Sequence, residues 1–429
     1  MVGLINSDAK TLHSTSARYK LSLLALSPLA VAYVVYRSFK DGGWRYFKQR
    51  LGFGYVKIDS RPIHFHCASV GELITAKPLI QAIQIKYPDK RFVVTTNTST
   101  AASLVNKFNH INITHYYLPI DLAFAVSRFL RKTHPLCTII LETEIWPTYY
   151  SAAAKKLVPI VIVNARLSKK SLETKNFVKN EYARALKNVS LVLARSKDDY
   201  EKFIVLGASI EKTHIIGNLK YAISNTDHNE LACTTIKRPF FLAASTHGDE
   251  EAQLSEHLAL LKRKNYLLII APRYPDRCKQ LAQQFRNKGL MVSVRSESDA
   301  ITATTDIYIV DTLGELNVFF NEAALVFVGG SLIPRGGHNV LEPASFGKCI
   351  IVGPNTDNFA LETKDLLQED AIIQVKDNYQ LGKNLISLLK DDQQREHYGK
   401  NALQFMNKQS GVLNAYLKHL KPVLEIANS

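Results

Sequence analysis

Apolar runs alternate with longer amphipathic stretches through most of the chain. From residue 62 to 196 the runs that read as buried strands are PIHFHCAS, RFVVTTNTS, NITHYYLP, LCTIILE, PIVIVNA and SLVLARS. Stretches of helical periodicity, such as AKPLIQAIQIKY and LAFAVSRFLRK, separate them. This βαβ order predicts a parallel sheet with helices on its faces.

The alternation of apolar runs and helical stretches is interrupted by the polar segment 217–238 and then resumes. The second series of apolar runs is FFLAAST, YLLIIAP, MVSVRS, DIYIV, ALVFVGG, CIIVG and AIIQV. We therefore expect an α/β protein of two Rossmann-like domains, 51–220 and 239–410, joined by a linker at 221–238. The last segment, 411–429, is predicted to be a helix that packs back on the first domain.

The N-terminal segment differs from the rest of the chain. Residues 21–36 carry no charge, are flanked by basic residues, and fall a little short of the ~20 residues that span a bilayer. A cleaved signal peptide and a buried helix kinked at Pro28 are the alternatives. No A-x-A-like site stands between the apolar run 21–36 and the stretch GGWRYFKQR, and the free cysteines downstream favour a reducing compartment. We interpret 1–50 as an uncleaved membrane anchor with a basic aromatic interfacial segment.

The charge balance indicates an anionic partner. The 429 residues carry a formal net charge of +16, which favours nucleic acid, an anionic membrane or phosphorylated substrates. The segment after the anchor interleaves aromatic and basic residues that suit a headgroup layer: Trp44, Arg45, Tyr46, Phe47, Lys48 and Arg50. This favours an anionic leaflet and argues against nucleic acid. The five cysteines are odd in number and scattered, so no disulfide framework or CxxC metal site is indicated.

Polar residues follow the predicted strands where ligands bind in open parallel sheets. In the first half these residues are Ser69, Gly71, Glu72, Glu142, Glu144, Asn164 and Arg166. In the second half they are Ser245, Thr246, His247, Pro272, Arg273, Gly329, Gly330 and Ser331. We expect the two sets to face each other across a cleft.

The glycine-rich segment 329–354 suggests a nucleotide site. Its first glycines would let the backbone approach a ligand, and Gly337, His338 and Asn339 precede a helix running towards Phe346. Free amides at a helix start attract phosphate, and Glu342, one turn further on, suits ribose hydroxyls. The alternative is a glycine loop that only turns a corner.

A set of longer motifs carries a family resemblance. These motifs are SVGE, ETEIWP, NARLS, GNLK, STHGDEE, PRYPDR, GELNVFF, FVGGSLIPRGGHNVLEPA and GPNTDNF. In this order they resemble the 3-deoxy-D-manno-octulosonic acid (Kdo) transferases of lipopolysaccharide assembly. The chain departs from the family pattern at Tyr274, Asp276, Thr148 and Phe319-Phe320.

The resemblance implies a GT-B fold and an inverting, cofactor-free transfer of Kdo from CMP-Kdo to a lipid A precursor, lipid IVA. It also implies attachment to the cytoplasmic side of the inner membrane of a Gram-negative bacterium. By the same resemblance Glu72 would be the general base, and Glu142 and Glu144 would support the acceptor site with Ser69, Gly71, Asn164 and Arg166. The GELNVFF motif adds Gly314, Glu315 and Leu316 to the donor-binding set.

The residues support that chemistry on their own. An inverting transfer needs a carboxylate to accept the proton of the attacking hydroxyl, and cationic or amide donors for the departing phosphate. The simpler role for Glu72 is to complement a helix dipole, and for Arg273 a surface ion pair. Glu142 and Glu144, at i, i+2 spacing, would point to one side of an extended segment and orient Arg166 or the acceptor. No DxD pair occurs, so we expect no metal requirement.

Other residues and other functions give weaker hypotheses. His64 and His66 read as core histidines, and we assign them no role. A GT-B-like sugar-nucleotide epimerase would share the fold and the phosphate site, and a non-enzymatic basic lipid-binding protein would explain the charge and the anchor.

Overall fold

The computed structural model describes residues 13–40, 42–108, 112–222, 236–297 and 299–425. The chain divides into two compact units, one made of 1–222 with 411–429 and the other of 223–410. Most of the segment predicted as a linker lies outside the described residues. Each unit is a parallel-sheet α/β domain, as the alternation of apolar runs and helical stretches predicts.

The first unit is built on a seven-stranded, wholly parallel sheet. Its strands are β1 (Ile63–His66), β2 (Phe92–Thr96), β3 (Ile113–Tyr117), β4 (Cys137–Leu141), β5 (Ile160–Ala165), β6 (Leu191–Ala194) and β7 (Thr213–Ile215). The strand order is β3-β2-β1-β4-β5-β6-β7, so β1 and β4 lie side by side where the order reverses. At such a switch point the connections leave in opposite directions and open a crevice for ligands.

Helices cover both faces of this sheet. The α-helices of this unit before residue 222 are α1 (Ala17–Ser38), α2 (Gly43–Arg50), α3 (Val70–Lys86), α4 (Ser99–Asn106), α5 (Ala123–Thr133), α6 (Pro147–Lys155), α7 (Lys169–Leu172), α8 (Asn176–Leu186) and α9 (Lys197–Leu206). One apolar core lies under α3 and contains Phe65, Ile80 and Leu136, and the other lies under α5 and α6 and contains Phe129, Tyr150 and Ile162.

The second unit repeats the design with another seven-stranded parallel sheet. Its strands are β8 (Phe240–Thr246), β9 (Leu267–Pro272), β10 (Val292–Val294), β11 (Ile307–Ile309), β12 (Leu325–Val328), β13 (Ile350–Val352) and β14 (Ile373–Gln374), in the order β10-β11-β9-β8-β12-β13-β14. Its helices are α10 (Gly248–Ser255), α11 (Leu258–Arg263), α12 (Cys278–Asn287), α13 (Leu316–Glu322), α14 (Leu341–Ser345), α15 (Ala360–Gln368), α16 (Asn378–Leu388) and α17 (Asp392–Gln409).

The last helix, α18 (Val412–Leu424), belongs to the first unit. Its apolar side, with Tyr416, Leu420 and Leu424, is part of the core under α3. The Tyr416 hydroxyl donates to the Gly217 carbonyl at 2.9 Å, which ties the helix to the chain after β7. The C-terminal end of the chain thus completes the first unit.

Helix α1 is, among the described residues, the one long and apolar enough to cross a membrane by length and composition. A core helix would be buried, but of its residues only Val34 is buried, beside Tyr46 and Tyr117. Its first turn is fixed to the unit because the Tyr19 hydroxyl donates to Asp121 at 3.2 Å. The buried-helix alternative therefore does not fit, because most of the large apolar side chains of α1 are exposed.

Helix α2 is less exposed than an interfacial segment should be. Trp44, Arg45 and Lys48 are exposed as expected, but Tyr46 and Arg50 are buried. Arg50 donates to the Leu118 carbonyl at 2.6 Å, because its position at the end of α2 turns the guanidinium towards the sheet. The expectation that these two residues meet lipid headgroups is wrong.

Candidate functional site

Glu72 lies in the first turn of α3, just beyond the carboxyl end of β1. Its Oε2 accepts the Ala68 N–H at 2.8 Å, and its Oε1 accepts the Ser69 hydroxyl at 3.1 Å. Ser69 in turn caps the helix by accepting the Glu72 N–H at 3.3 Å. The carboxyl group is therefore held in one position at a helix start, and Ser69 has this capping role whatever else it binds.

Glu72 holds its proton more tightly than a glutamic acid in water. Burial raises its pKa to about 8, and the negative charges of Glu144 and Glu142 add to the effect, against the hydrogen bonds from Ala68 and Ser69. A carboxylate with such a pKa is a stronger base than an ordinary one. Burial here outweighs the two hydrogen bonds that favour the charged form, whereas a carboxylate that only complements a helix dipole would have its charged form favoured.

The ETE segment forms a turn and not the extended strand that the sequence suggested. Glu142 adopts a left-handed backbone with φ 58°, which a side chain of this size rarely occupies. Its Oε2 lies 2.8 Å from Arg166 Nε, whereas Glu144 Oε2 accepts the Trp146 indole N–H at 3.0 Å. The two carboxylates therefore have different partners and do not form a pair on one side.

Glu144 is ionised more readily than usual, in contrast to Glu72. Burial opposes its ionisation, but His66, the Trp146 indole and the positive charge of Arg50 together lower its pKa below the ordinary value. Two neighbouring carboxyl groups thus have pKa values shifted in opposite directions, which is a common property of acid–base sites. The first unit therefore brings together Glu72, Glu142, Glu144 and Arg166 at the ends of β1, β4 and β5.

Asn164 does not share this surface. It is completely buried with φ 50°, and its Oδ1 accepts the Leu219 N–H at 3.0 Å. Its own N–H is directed to the Tyr416 hydroxyl at 3.2 Å. We therefore remove it from the acceptor set, because it connects β5 to the C-terminal helix. Gly71 is exposed beside Glu72 and stays in the set.

In the second unit a histidine pair marks the predicted donor site. His247 Nε2 and His338 Nε2 are 3.0 Å apart, and the two rings stack at 5.2 Å between centroids. Burial, the neighbouring histidine and Arg273 lower the pKa of His338 to about 4, and burial and Arg335 lower that of His247. The rings are neutral at pH 7, so one N–H is shared between them in a positively charged neighbourhood.

Arg273 and Glu342 belong to the same cluster. The exposed Arg273 lies over the Tyr274 ring, 5.7 Å from its centroid. Burial raises the pKa of Glu342, while a hydrogen bond from Asn339 Nδ2 at 3.0 Å and the charge of Arg273 oppose that rise. The structure therefore joins four predicted donor residues, His247, Arg273, His338 and Glu342, around an electropositive surface.

The glycine turn after β12 is organised by Glu250, which sequence reasoning missed. This fully buried carboxylate accepts the N–H groups of Gly330 at 2.7 Å, Ser331 at 3.0 Å and Leu332 at 3.0 Å. Those amides are therefore not free for a phosphate. A Cβ on Gly329 would lie 2.5 Å from the Ser245 carbonyl oxygen, so the missing side chain serves the close approach of two strand ends.

The remaining donor predictions lie elsewhere or have other partners. Thr246 is buried, and its hydroxyl donates to Glu251 at 2.9 Å. Pro272 is buried at the end of β9. Glu315, between Gly314 and Leu316, accepts two bonds from Arg295 at 3.2 and 3.0 Å and one from Thr312. Nothing in these contacts brings the GELNVFF motif to the histidine pair.

Two further residues near Glu144, His66 and Arg50, were not assigned to the site from the sequence. His66 is a core histidine as predicted, but its Nε2 lies 3.6 Å from Glu144 Oε2, and the charge of Arg50 also reaches that carboxylate. The i, i+2 spacing of His64 and His66 placed both rings on one face of β1, and only the neighbouring strands show what His66 meets. Within the described residues no group of three or more His, Cys, Asp or Glu side chains could hold a metal ion.

Comparisons with known proteins point to one family. Residues 45–223 match the family 3-Deoxy-D-manno-octulosonic-acid transferase (kdotransferase). The chain is 33% identical over 420 residues to the 3-deoxy-D-manno-octulosonic acid transferase of Haemophilus influenzae, covering 95% of this chain and 98% of that protein.

Solved structures show the same fold at low sequence identity. The UDP-GlcNAc 2-epimerase of Neisseria meningitidis, bound to UDP-GlcNAc, superposes with a TM-score of 0.58 at 14% identity, over 85% of this chain and 100% of that one. MurG of Acinetobacter baumannii gives a TM-score of 0.52 at 12% identity, over 83% and 99%. At these identities the likeness concerns the GT-B fold alone.

Proposed function

The chain belongs to the 3-deoxy-D-manno-octulosonic acid (Kdo) transferase family, and on that basis we propose that it transfers Kdo from CMP-Kdo to lipid IVA with inversion of configuration. The observation that carries the chemical part is the environment of Glu72, a half-buried carboxyl group with a pKa of about 8 beside Glu142 and Glu144. A general base works best when its pKa lies near the operating pH.

The proposed step balances without a cofactor. An acceptor hydroxyl oxygen attacks the anomeric carbon of Kdo, and the bond from that carbon to the phosphate oxygen of CMP breaks. CMP leaves with the bonding electron pair, and the proton of the hydroxyl passes to the Glu72 carboxylate. Arg166, held by Glu142 at 2.8 Å, supplies a half-exposed guanidinium for an anionic group of the acceptor.

The cluster on the second unit supports a role in holding the donor. The guanidinium of Arg273 matches the geometry of a phosphate or carboxylate, and the His247–His338 pair offers a neutral N–H. Glu342 can accept hydrogen bonds from two ribose hydroxyls. Because this cationic and hydrogen-bonding set can stabilise the departing phosphate, we propose that no metal ion is needed.

We expect Arg273→Ala and Glu342→Ala each to weaken CMP-Kdo binding about 10–150-fold, since each removes a charge-assisted contact worth ~1.5–3 kcal/mol. Calorimetric titration in EDTA measures the affinity and the metal requirement together. Arg286→Ala removes an exposed arginine paired with Glu297 and should bind like the parent. Parent affinity in both test variants would place the donor elsewhere, and loss of binding on chelation would refute metal independence.

We also propose attachment to the cytoplasmic side of the inner membrane, and the apolar face of α1 supports the membrane part of this proposal. Leu24 and Leu29 are 68% and 69% exposed, and Arg45 and Lys48 on α2 offer charges to an anionic leaflet. Exposed leucines on a helix fixed to the enzyme by Tyr19 are costly in water unless lipid covers them.

We expect Leu24→Lys with Leu29→Lys to abolish flotation with anionic vesicles while the protein stays folded. Each charge inside the apolar layer costs about 2.5–3.5 kcal/mol on insertion scales, and neither leucine is part of the core. Ile85 on α3 is 83% exposed and similar in size to leucine, so Ile85→Lys is the matched control. This variant should still float. Flotation of the double variant at the parent level would contradict the anchor.

Fold likeness to epimerases does not favour epimerisation for this chain. That likeness rests on 14% identity and shows the fold alone, whereas the relationship to the Kdo transferase of Haemophilus influenzae runs through nearly the whole chain. The carboxylate cluster of the first unit also argues against a protein that only binds lipid.

A further inference from the structure

His66 is buried at the end of β1 and reaches the carboxylate cluster with one edge of its ring. It is 1% exposed, and its Nδ1 lies 2.9 Å from the Thr95 hydroxyl on β2. The other nitrogen, Nε2, has no hydrogen-bond partner among the described residues and lies 3.6 Å from Glu144 Oε2. A buried ring nitrogen without a partner is rare in a folded protein and calls for an explanation.

The contact of His66 with Thr95 is the last link of a longer buried chain. Thr95 Oγ1 also lies 2.9 Å from His64 Nε2. His64 Nδ1 is 3.0 Å from the Tyr149 hydroxyl and 3.2 Å from Thr138 Oγ1. Five polar side chains are thus connected through the interior of the sheet, from α6 to the end of β1.

The donors and acceptors of this chain can be ordered from its chemistry. Burial lowers the pKa of His64 well below its ordinary value, so that ring is neutral and one nitrogen donates while the other accepts. If Tyr149 or Thr138 donates to His64 Nδ1, then His64 Nε2–H donates to Thr95. The Thr95 hydroxyl has two acceptors in reach, the Phe65 carbonyl at 3.4 Å and His66 Nδ1 at 2.9 Å, and it donates to the nearer one, His66 Nδ1. His66 then carries its proton on Nε2, directed towards Glu144.

The opposite order is unfavourable. It would place the proton of His66 on Nδ1 and leave the lone pair of Nε2 facing a carboxylate that is held ionised. Two acceptors 3.6 Å apart in a buried setting repel each other. The separation is longer than a direct hydrogen bond, as contacts of catalytic groups often are before the substrate is bound.

We propose that His66 is a positioning residue: through Nε2–H it keeps Glu144 ionised and in place beside Glu72, and the buried chain Tyr149–His64–Thr95 fixes the tautomer that makes this possible. The proposal rests on the proposed role of Glu72 as the base. Its consequence is that the charge of Glu144, maintained from the core, keeps Glu72 a strong base.

Other charged and titratable groups also face this pair of carboxyl groups. Arg50 reaches Glu144 from the end of α2, and Tyr182 on α8 is affected by the same carboxylate. Glu142 and Cys67 lie near Glu72. None of their side chains takes part in the hydrogen bonds that connect Tyr149, His64, Thr95 and His66. Variants at Thr95 therefore change which of these groups donate and which accept, and leave the surrounding charges in place.

Thr95→Val removes the hydroxyl with little change in shape, and His66→Asn removes the ring nitrogen that faces Glu144. Without the donor, burial makes Glu144 harder to ionise, and the loss of its charge lets Glu72 ionise at lower pH. We expect the ratio of turnover at pH 6 to turnover at pH 9 to rise about tenfold in both variants, since one pKa unit is tenfold in the population of the base. Thr95→Ser should keep the parent ratio.

A matched control lies next to Thr95. Thr96, also buried on β2, pairs with His115 at 2.9 Å and not with the chain. Thr96→Val should therefore leave the ratio unchanged, because a general loss of packing lowers turnover equally at both pH values. The carboxyl ¹³C resonance of Glu144, assigned with Glu144→Gln, adds a measurement that needs no activity: its titration should move to higher pH in Thr95→Val.

The outcomes separate this inference from the proposed function. A parent pH ratio and a parent Glu144 titration in Thr95→Val would overturn the role of the chain while Glu72 remains the base. If Glu72→Gln turned over like the parent, the base assignment would fail, yet the ¹³C titration would still show whether the chain sets the ionisation of Glu144.

Discussion

Glu72→Gln is expected to lower turnover by on the order of 10²–10⁴-fold and to leave CMP binding unchanged. The amide keeps the shape of the side chain and can accept the Ala68 N–H, but it cannot take the proton of an attacking hydroxyl. A single-turnover rate and a CMP titration on one preparation measure both effects. In the parent the rate should rise with pH through about 8, the pKa of Glu72.

The same substitution should change stability in a direction that a helix-dipole role would not give. Because the folded state raises the pKa of Glu72, the stability that this group contributes is present at low pH and is lost as pH rises to about 8. Glu72→Gln should therefore melt at a higher temperature than the parent at pH 9. A dipole carboxylate would instead cost about 0.3–1 kcal/mol when neutralised, with turnover nearly unchanged.

An exposed carboxylate of the same unit provides the control. Glu201 on α9 is 4.0 Å from Lys197 and is largely exposed, so Glu201→Gln should keep the parent turnover and its pH dependence. If Glu72→Gln behaved like this control, Glu142 or Glu144 would become the candidate base.

Glu250→Ala is expected to destabilise the second unit by on the order of 3–5 kcal/mol, the largest stability effect that we predict. Three amides of the turn after β12 would lose their buried acceptor, and each unsatisfied donor costs roughly 1–3 kcal/mol without strict additivity. Hydrogen exchange of Gly330, Ser331 and Leu332 measures the effect locally. These amides should exchange much faster in the variant.

Asp249, the exposed neighbour of Glu250 in the first turn of α10, is the matched control. Asp249→Ala removes a charge from the same helix start and should cost only about 0.3–1 kcal/mol. Equal exchange rates in the two variants would mean that Glu250 does not organise the turn. Whether Glu250 organises the turn also bears on the predicted donor site, because His338, in the loop that follows the turn, stacks on His247.

Much of the fold could be predicted because buried parallel strands are continuous apolar runs. Runs such as LCTIIL and LLIIAP became β4 and β9 with bounds close to those expected. Strand β7 was missed because Thr213–Ile215 has only three residues, of which Thr213 alone is buried, so it does not form a continuous apolar run.

The candidate site was predictable where topology decides the position of a residue. Glu72 and Glu142 follow strands of the first sheet and Arg273 follows a strand of the second, and within each sheet the carboxyl ends of parallel strands share one edge. Asn164 was expected to follow a strand as well, but it is part of β5, and its side chain turns inwards to accept the Leu219 N–H, a contact that the local sequence does not reveal.

Long-range partners could not be predicted. Glu250 binds amides 80 or more residues away, and no local pattern in the sequence connects it with them. Arg50 was expected at a membrane surface because its neighbours are aromatic and basic, whereas its side chain binds a carbonyl of the sheet edge. Which groups meet across strands depends on the register of the whole sheet.

The most direct test of the account is release of CMP from CMP-Kdo by the full-length protein, measured with and without lipid IVA. We expect rapid release only when the acceptor is present, equal amounts of CMP and of Kdo-bearing lipid, and no effect of EDTA. Release without acceptor, or isomerisation of the donor sugar with the nucleotide still attached, would contradict the assignment of this chain as a Kdo transferase that acts from CMP-Kdo.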